Sequence, residues 1–486
     1  MSYHHRCLAA TLALMVAGVH ASAEDNGSTP PPPVVPSGPA PGTSTSGPSP
    51  QGGSDSLDLG NGSRFGVNSP RQVVIQGLID MDGLIQNNYT DGNSNNSDHR
   101  GFGLLRAELG AKVTLDEKVT TVITIGYYSE LGNSQPPPQV LTYPGDLTPT
   151  QNRGQGQAVI NDAYVELKQF LDMPQLGVDA GRMPVCWNLR AGKGAFLYDS
   201  RAYDAAVTSW DGARATYNYE SIDITPYSYR LPDNSTLYGG AIDWKPERSG
   251  SSRTFLTGSV NLERNVVLRP VAADPTPGEG SRLYTYYAGA EFELGDIDIY
   301  GEYAAQRGTL NSAVNFDGWG GDIGTEWRTR LANGQQMVLG IQGDYLSGDN
   351  NPNDNRDNAF INNWSGTADT YIVESPKYGQ LSHYVQGNLE DLKLSAGIAF
   401  DQHNRIRLSA IYAYYRMPDP QANSSSGFGQ EADLTLTWDY TYNTTFRLFG
   451  GIFKPDSGFI QVAPIGPIIA STDPAYLLGL NLSTLF

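Results

Sequence analysis

Charged side chains at alternate positions are the residues in this 486-residue sequence best placed to do chemistry. Arg106 and Lys112 share a parity with Glu108. Arg328 and Arg330 share one with Asp322 and Glu326, Lys393 shares one with Asp391, and Arg405 shares one with Arg407. Lys168 and Arg447 lie in similar surroundings, and further carboxylates fall on the same faces at Asp162, Glu166, Asp179, Asp298, Glu302 and Asp344. Fixed cations on a wall offset the desolvation of a passing anion, and the planar fork of arginine binds carboxylates bidentately. The same residues read equally as salt-bridged wall structure.

Catalysis and metal binding have weaker support. Only His99, His383 and His403 lie beyond residue 23, and Asp98-His99 is the one acid–imidazole neighbour pair. Adjacent loop residues of that kind are ordinarily solvated, so no catalytic residue is assigned and an enzyme is not expected. Asp91, Asn93 and Asn95 have the spacing of the first three ligands of a calcium loop. Asn96 stands where that loop needs glycine, however, and Phe102 where it needs glutamate. Asp349 to Asn358 is similarly rich in Asx residues, which turn chemistry explains without an ion. No phosphate loop, dinucleotide fingerprint or zinc pattern occurs, so neither cofactor nor metal is expected.

The elements that carry these charges have a period of two. In Leu104 to Val113, Leu105, Ala107, Leu109, Ala111 and Val113 oppose Arg106, Glu108 and Lys112. Ile297, Ile299, Gly301, Tyr303 and Ala305 oppose Asp298, Tyr300, Glu302 and Gln306, and the same alternation runs through 336–345 and 405–414. Eighteen such stretches follow from residue 72, beginning with 72–85, 102–114, 119–131 and 157–170 and ending with 429–440, 444–454 and 475–486. Their connections alternate short and long, as in 115–118 and 441–443 against 86–101, 132–156, 184–207, 348–387 and 454–474. A soluble sandwich shows the alternation but has no reason to sort its loops. The pattern predicts an all-β fold: a transmembrane, antiparallel, up-and-down β-barrel of about eighteen strands with both termini on one side. The last strand carries Tyr476, Leu478, Leu480, Leu482 and Phe486 on one parity and closes the barrel against the first, so that no edge remains. The connection 358–387 is long enough for one more strand-like element.

Three segments follow. Residues 1–23 read as a signal peptide, with Arg6, the short apolar run 8–19 and the cleavage pattern Ala21-Ser22-Ala23. Residues 24–70, with Pro30 to Pro33 and a Pro/Gly/Ser/Thr-rich stretch after them, read as a disordered linker. Residues 71–486 are the barrel. Beyond the signal the only cysteine is Cys186, expected to be structural. A net charge of −19 argues against nucleic acid as a partner.

Two blocks resemble the alginate-export family of outer-membrane barrels. One runs from Gly181-Arg182 through Arg190, Arg201 and Trp210 to Asp211-Gly212-Ala213-Arg214. The other is Ser347-Gly348-Asp349-Asn350-Asn351-Pro352, then Phe360, then Asn388-Leu389-Glu390-Asp391-Leu392 and the hairpin to Tyr415. Met183-Pro184-Val185-Cys186 departs from the polar continuation of that family. The resemblance implies a passive channel in the Gram-negative outer membrane, passing anionic polysaccharide or small hydrophilic solutes through an arginine-lined constriction. Arg106, Arg182, Arg190, Arg201, Arg214, Arg328, Arg405 and Arg407 are then the expected pore-lining residues, and Ser347, Gly348 and Asp349 the loop motif. The third outer loop, with Arg190 and Arg201, is a candidate to fold inward. The partners implied are outer-membrane lipid and lipopolysaccharide, the barrel-assembly machinery through the Phe486 strand, and the solute. The balance of acids and bases leaves a general porin open, as does a structural or adhesive barrel with an occluded lumen.

Overall fold

The structure is a computed structural model. It describes the strands and turns of residues 72–486 with parts of the longer connections, and the short pieces Leu57–Asp58 and Arg64–Phe65. The rest of 1–71 lies outside the described residues, as do the centres of several connections, including 132–156, 187–195, 199–208, 362–368, 379–386 and 460–470. The signal peptide and nearly all of the linker expected from the sequence fall there.

Eighteen antiparallel strands close into one barrel. The first six are β1 (Gln72–Asn87), β2 (Arg100–Thr114), β3 (Val119–Leu131), β4 (Gln157–Leu167), β5 (Leu176–Met183) and β6 (Trp210–Tyr219). Next come β7 (Ile222–Arg230), β8 (Thr236–Trp244), β9 (Ser252–Arg264), β10 (Arg282–Leu294), β11 (Ile297–Thr309) and β12 (Trp319–Arg330). The last six are β13 (Gln336–Leu346), β14 (Leu389–Ala399), β15 (Ile406–Arg416), β16 (Gly427–Thr441), β17 (Thr444–Pro455) and β18 (Ala475–Leu485). β18 pairs with β1 from Tyr476↔Asn87 to Leu485↔Leu78, which leaves no free edge.

Alternation sets the two faces. Ile75, Ile79, Ile123, Ile323, Leu434 and Leu478 point outward and are exposed, a surface that suits hydrocarbon. Trp319 and Tyr476 at the long-loop ends, and Trp438 and Tyr440 at a short-turn end, place amphipathic rings at both rims. The inner parity carries the polar residues together with glycines that lie opposite aromatic rings. Tyr300 faces Gly324 and Phe449 faces Gly479 across neighbouring strands. A side chain on either glycine would collide with the ring.

Two details differ from the sequence reading. β4 stops at Leu167, because Gln169, Leu171 and Asp172 take left-handed φ values of 51°, 56° and 59° around a short 3-10 turn (Phe170–Asp172). The extra strand-like element is Arg356–Asp357, just before 358–387, and it pairs in parallel with Asn315–Phe316 beside the barrel rim.

Candidate functional site

The inner wall is strongly acidic. Among the described residues twelve carboxylates on strands are buried: Asp82, Asp162, Glu166, Asp243, Glu263, Glu291, Asp298, Glu302, Asp322, Asp391, Glu431 and Asp433. Only Arg106, Arg214 and Lys393 are buried among the basic residues. Each of those three is ion-paired. Arg106 Nη2 lies 2.8 Å from Glu108, which also accepts from the Tyr128 hydroxyl and from Asn161. Arg214 Nε donates to Asp179 at 2.9 Å. Lys393 Nζ lies 2.5 Å from Asp344, 2.6 Å from Glu374, 3.3 Å from Asp369 and 3.5 Å from Asp391.

Strand register organises part of this charge. Glu302 on β11 faces Asp322 on β12, Asp322 faces Asp344 on β13, and Asp344 faces Asp391 on β14. Four inward carboxylates thus stand side by side on four consecutive strands, a few residues from their long-loop ends. Like charges directly opposite one another oppose strand pairing, and Lys393 offsets part of that opposition at Asp344 and Asp391.

A loop lies across this wall. Within the β13–β14 connection, residues 369–375 and Tyr378 pack inside the barrel. Glu431 accepts the backbone N–H groups of Ile372 and Val373 at 2.6 and 2.9 Å, and Asp433 accepts that of Tyr371 at 2.9 Å. The Thr370 hydroxyl meets the Tyr415 hydroxyl, and the Tyr371 hydroxyl meets Thr435. Tyr378 donates to Asp82 and accepts from Gln86 through its carbonyl. Tyr371 and Tyr378 also pack on the Phe449 ring. The Glu374 side chain is largely buried, with 8 % of it exposed; burial pushes its carboxyl above the ordinary range, against the lowering influence of Lys393. Strand alternation places Glu431 and Asp433 inward, but no sequence signal marked 369–378 as an inward segment. Two tyrosines in an Asx-rich loop were the available hint.

The Ser347-Gly348-Asp349 motif closes the neck of that loop. The Ser347 hydroxyl donates to the Asn358 carbonyl at 2.6 Å and accepts from the Trp319 N–H at 2.9 Å. The Ser347 carbonyl accepts from the N–H groups of Phe360 and Asn388. Gly348 N donates to Asp419, and a side chain on Gly348 would strike Asn388, which holds Asp419 through two further hydrogen bonds. Asp349 accepts from the Asn351 N–H, an Asx turn.

The arginines proposed from the sequence have varied positions. Arg106 and Arg214 are inward and paired, as above. Arg328 faces inward near the short-turn end, bridging Asp298 and Glu326. Arg407 does so beside Asp439 at 2.7 Å, whereas Arg405 pairs with Asp401 in the short turn and is mostly exposed. Arg182 lies one position off the inward parity of Asp179 and Met183. It forms two 2.8 Å hydrogen bonds with Asp211, with 38 % of its side chain exposed. Arg447 is inward between Thr445 and Phe449, and among the described residues it has no carboxylate in ion-pair contact. Arg190 and Arg201 lie outside the described residues, but their loop does turn inward nearby. Phe196, Leu197 and Tyr198 are buried, with Phe196 stacked on Phe360 at 5.7 Å and Tyr198 edge-on to Trp210. Cys186 is buried.

The family model for alginate export matches residues 132–461, more than half of the chain. The protein belongs to the alginate export family. Its membership and its lipid-suited outer face place this barrel in the outer membrane as a channel rather than an enzyme. Among solved structures, Acinetobacter baumannii OccAB4 is similar in fold, with a TM-score of 0.53 at 12 % identity over 85 % of this chain and 98 % of that one. Acinetobacter baumannii OccAB1 has a TM-score of 0.52 at 8 % identity, over 85 % of this chain and 96 % of that one. Pseudomonas aeruginosa OpdK has 0.50 at 9 %, over 85 % and 98 %. No curated protein sequence matches the chain.

Proposed function

We propose that this member of the alginate export family is a diffusion channel for small hydrophilic solutes, favouring cations and neutral molecules over polyanions. The larger number of inward carboxylates carries the reading: twelve are buried, against three buried cations and the partly exposed inward Arg328, Arg407 and Arg447. A passing carboxylate sheds water and needs fixed positive charge in exchange, and Arg106, Arg214 and Lys393 already spend theirs on wall acids. A passing cation meets a wall that replaces part of its hydration.

The second reading, passage of an anionic polysaccharide, is favoured by the family itself and by Arg447, whose guanidinium faces inward without an ion-pair partner among the described residues. Planar-bilayer reversal potentials in a salt gradient separate the two. Cation-selective or weakly selective current supports the first. Anion-selective current blocked by oligouronate would replace it with the second. Silence from a demonstrably folded barrel would leave the structural, occluded-lumen reading.

A further inference from the structure

We propose that the membrane-facing rim of β5–β11 carries a binding site for the phosphate groups of an outer-leaflet lipopolysaccharide, centred on Arg264 and Arg282. Strand register sets the site. Arg182 on β5 faces Asp211 on β6, and Asp211 faces Arg230 on β7. Arg230 and Arg264 both face Thr236 on β8, Arg264 faces Arg282 on β10, and Arg282 faces Thr309 on β11. This row of the sheet thus holds Arg182, Arg230, Arg264 and Arg282 against the lone acid Asp211, on a chain whose net charge is −19.

The row faces away from the lumen. Tyr229, Glu263 and Leu283, each next in sequence to one of these arginines, are buried on the inner parity, while Arg230, Arg264 and Arg282 are exposed. Two residues further from the loops, the outer face carries the exposed rings of Tyr238 and Tyr284, with Val260 and Tyr286 beyond. The Arg264 guanidinium carbon stands 5.8 Å from the centre of the Tyr238 ring. Rings of this kind sit at headgroup level, so the guanidinium groups lie level with the phosphates. All of these arginines stand at the long-loop ends of their strands, the side of the outer leaflet.

Two observations point to a ligand. The first is unmatched charge. Asp211 matches Arg182 through two 2.8 Å hydrogen bonds, and Asp317 matches Arg307, the outward residue facing Tyr284. Arg230 donates to the neutral amide of Asn234 at 2.8 Å. Apart from the Tyr238 ring, neither the Arg264 nor the Arg282 guanidinium has a hydrogen-bond or ion-pair partner among the described residues. The second is that Arg264 and Arg282 stand directly opposite one another, with Cβ atoms about 4.5–5.5 Å apart, an arrangement that opposes strand pairing. An anion bridging the two removes that opposition.

Arginine binds phosphate through its planar fork, and the low dielectric of the neighbouring lipid strengthens the attraction. Arg230 lies two strands from Arg264, about 9–10 Å along the row, in reach of a second phosphate on the same headgroup. A glycolipid with two phosphates fits this spacing and charge. A zwitterionic phospholipid does not, because its own ammonium already balances its phosphate. The site is independent of what crosses the lumen.

The probe that tests it is bisphosphorylated lipid A. The full-length barrel in neutral detergent is incubated with this lipid, and retained lipid is counted by native mass spectrometry. We expect a single retained lipid on the native barrel. The double variant Arg264→Gln, Arg282→Gln should weaken retention at least tenfold, because two charge-assisted contacts are lost. Arg416→Gln, on the same rim but in β15 and paired with Glu390, should retain the lipid as the native barrel does. All three side chains are exposed, and heat-modifiable gel mobility confirms each fold. Undiminished retention by the double variant, or an equal loss in Arg416→Gln, would overturn the proposal, since acyl chains or overall charge would then account for binding. Displacement of the lipid by an equal concentration of inorganic phosphate would also overturn it, by showing a site for free anions.

Discussion

The ring of Phe486 occupies the space that a side chain on Gly77 would need. The two residues also exchange backbone hydrogen bonds, Gly77 N to Phe486 O at 2.7 Å and Phe486 N to Gly77 O at 3.0 Å. The carboxy-terminal aromatic thus covers a glycine on the first strand at the seam where the barrel closes. Covering a sheet glycine with a cross-strand ring is a recognised way of pinning register. Replacing Gly77 with valine should push the ring off and strain the seam, costing about 1–3 kcal/mol. The check is a lower thermal midpoint for loss of heat-modifiable mobility, with Phe486→Leu less affected than Gly77→Val.

Lys393→Met should be among the most disruptive single changes in the wall. The side chain is 4 % exposed and touches four carboxylates. Removing one partner of a buried ion pair costs about 3–5 kcal/mol, because it leaves unmatched charge behind. Folding yield and thermal midpoint should both fall.

Glu431→Gln should loosen the inward loop without breaking the strand. The carboxylate accepts two backbone N–H groups, one on each oxygen. The amide keeps one acceptor and turns a donor toward the other N–H. A hydrogen bond to a charged group contributes about 1.5–3 kcal/mol, so the loop's held state becomes markedly less populated. Single-channel recordings should show higher mean conductance and more open-level noise than the native barrel.

The contact between the first and last long loops should be insensitive to pH until the solution is strongly acidic. Asp473 accepts both the hydroxyl and the N–H of Ser94, and these bonds hold its carboxyl below the usual range. A carboxyl lowered in the folded state stabilises the fold above its unfolded pKa, about 3.9 for aspartate. That contribution is lost as pH falls through the lower folded value. Amide exchange at Ser94, corrected for intrinsic pH dependence, should therefore keep constant protection from pH 8 down to about pH 4 and lose it below. Loss between pH 5 and 7 would contradict the assignment.

The barrel was legible because alternation reports directly which face a residue occupies. The stretch 102–114 corresponds to Arg100–Thr114, and 475–486 to Ala475–Leu485. Loop sorting told the short-turn end of the barrel from the long-loop end. The acidic row was not legible. Each acid was assignable to an inner face, but the register that sets Glu302 beside Asp322, Asp344 and Asp391 depends on three hairpins, one of them closed only through a long loop. The inward segment 369–378 has no periodicity, and its hold on the wall runs through backbone N–H groups that every residue possesses. Arg182 shows the opposite lesson. A motif suggested it for the pore, while counting positions from Asp179 and Met183 turns it to the outer face.

Ser347 has a consequence for how this barrel can change. Its N–H, carbonyl and hydroxyl are all engaged at the mouth of the β13–β14 connection, to Trp319, to Phe360 and Asn388, and to Asn358. The segment between Phe360 and Asn388 therefore leaves and rejoins the wall at one closed neck, and its described part, 369–375 with Tyr378, is held inside by separate contacts to the wall. Its length and composition can drift, or be exchanged by design, with no shift in the ladder between β13 and β14. The scaffold can keep its assembly while the selectivity of its interior is rewritten.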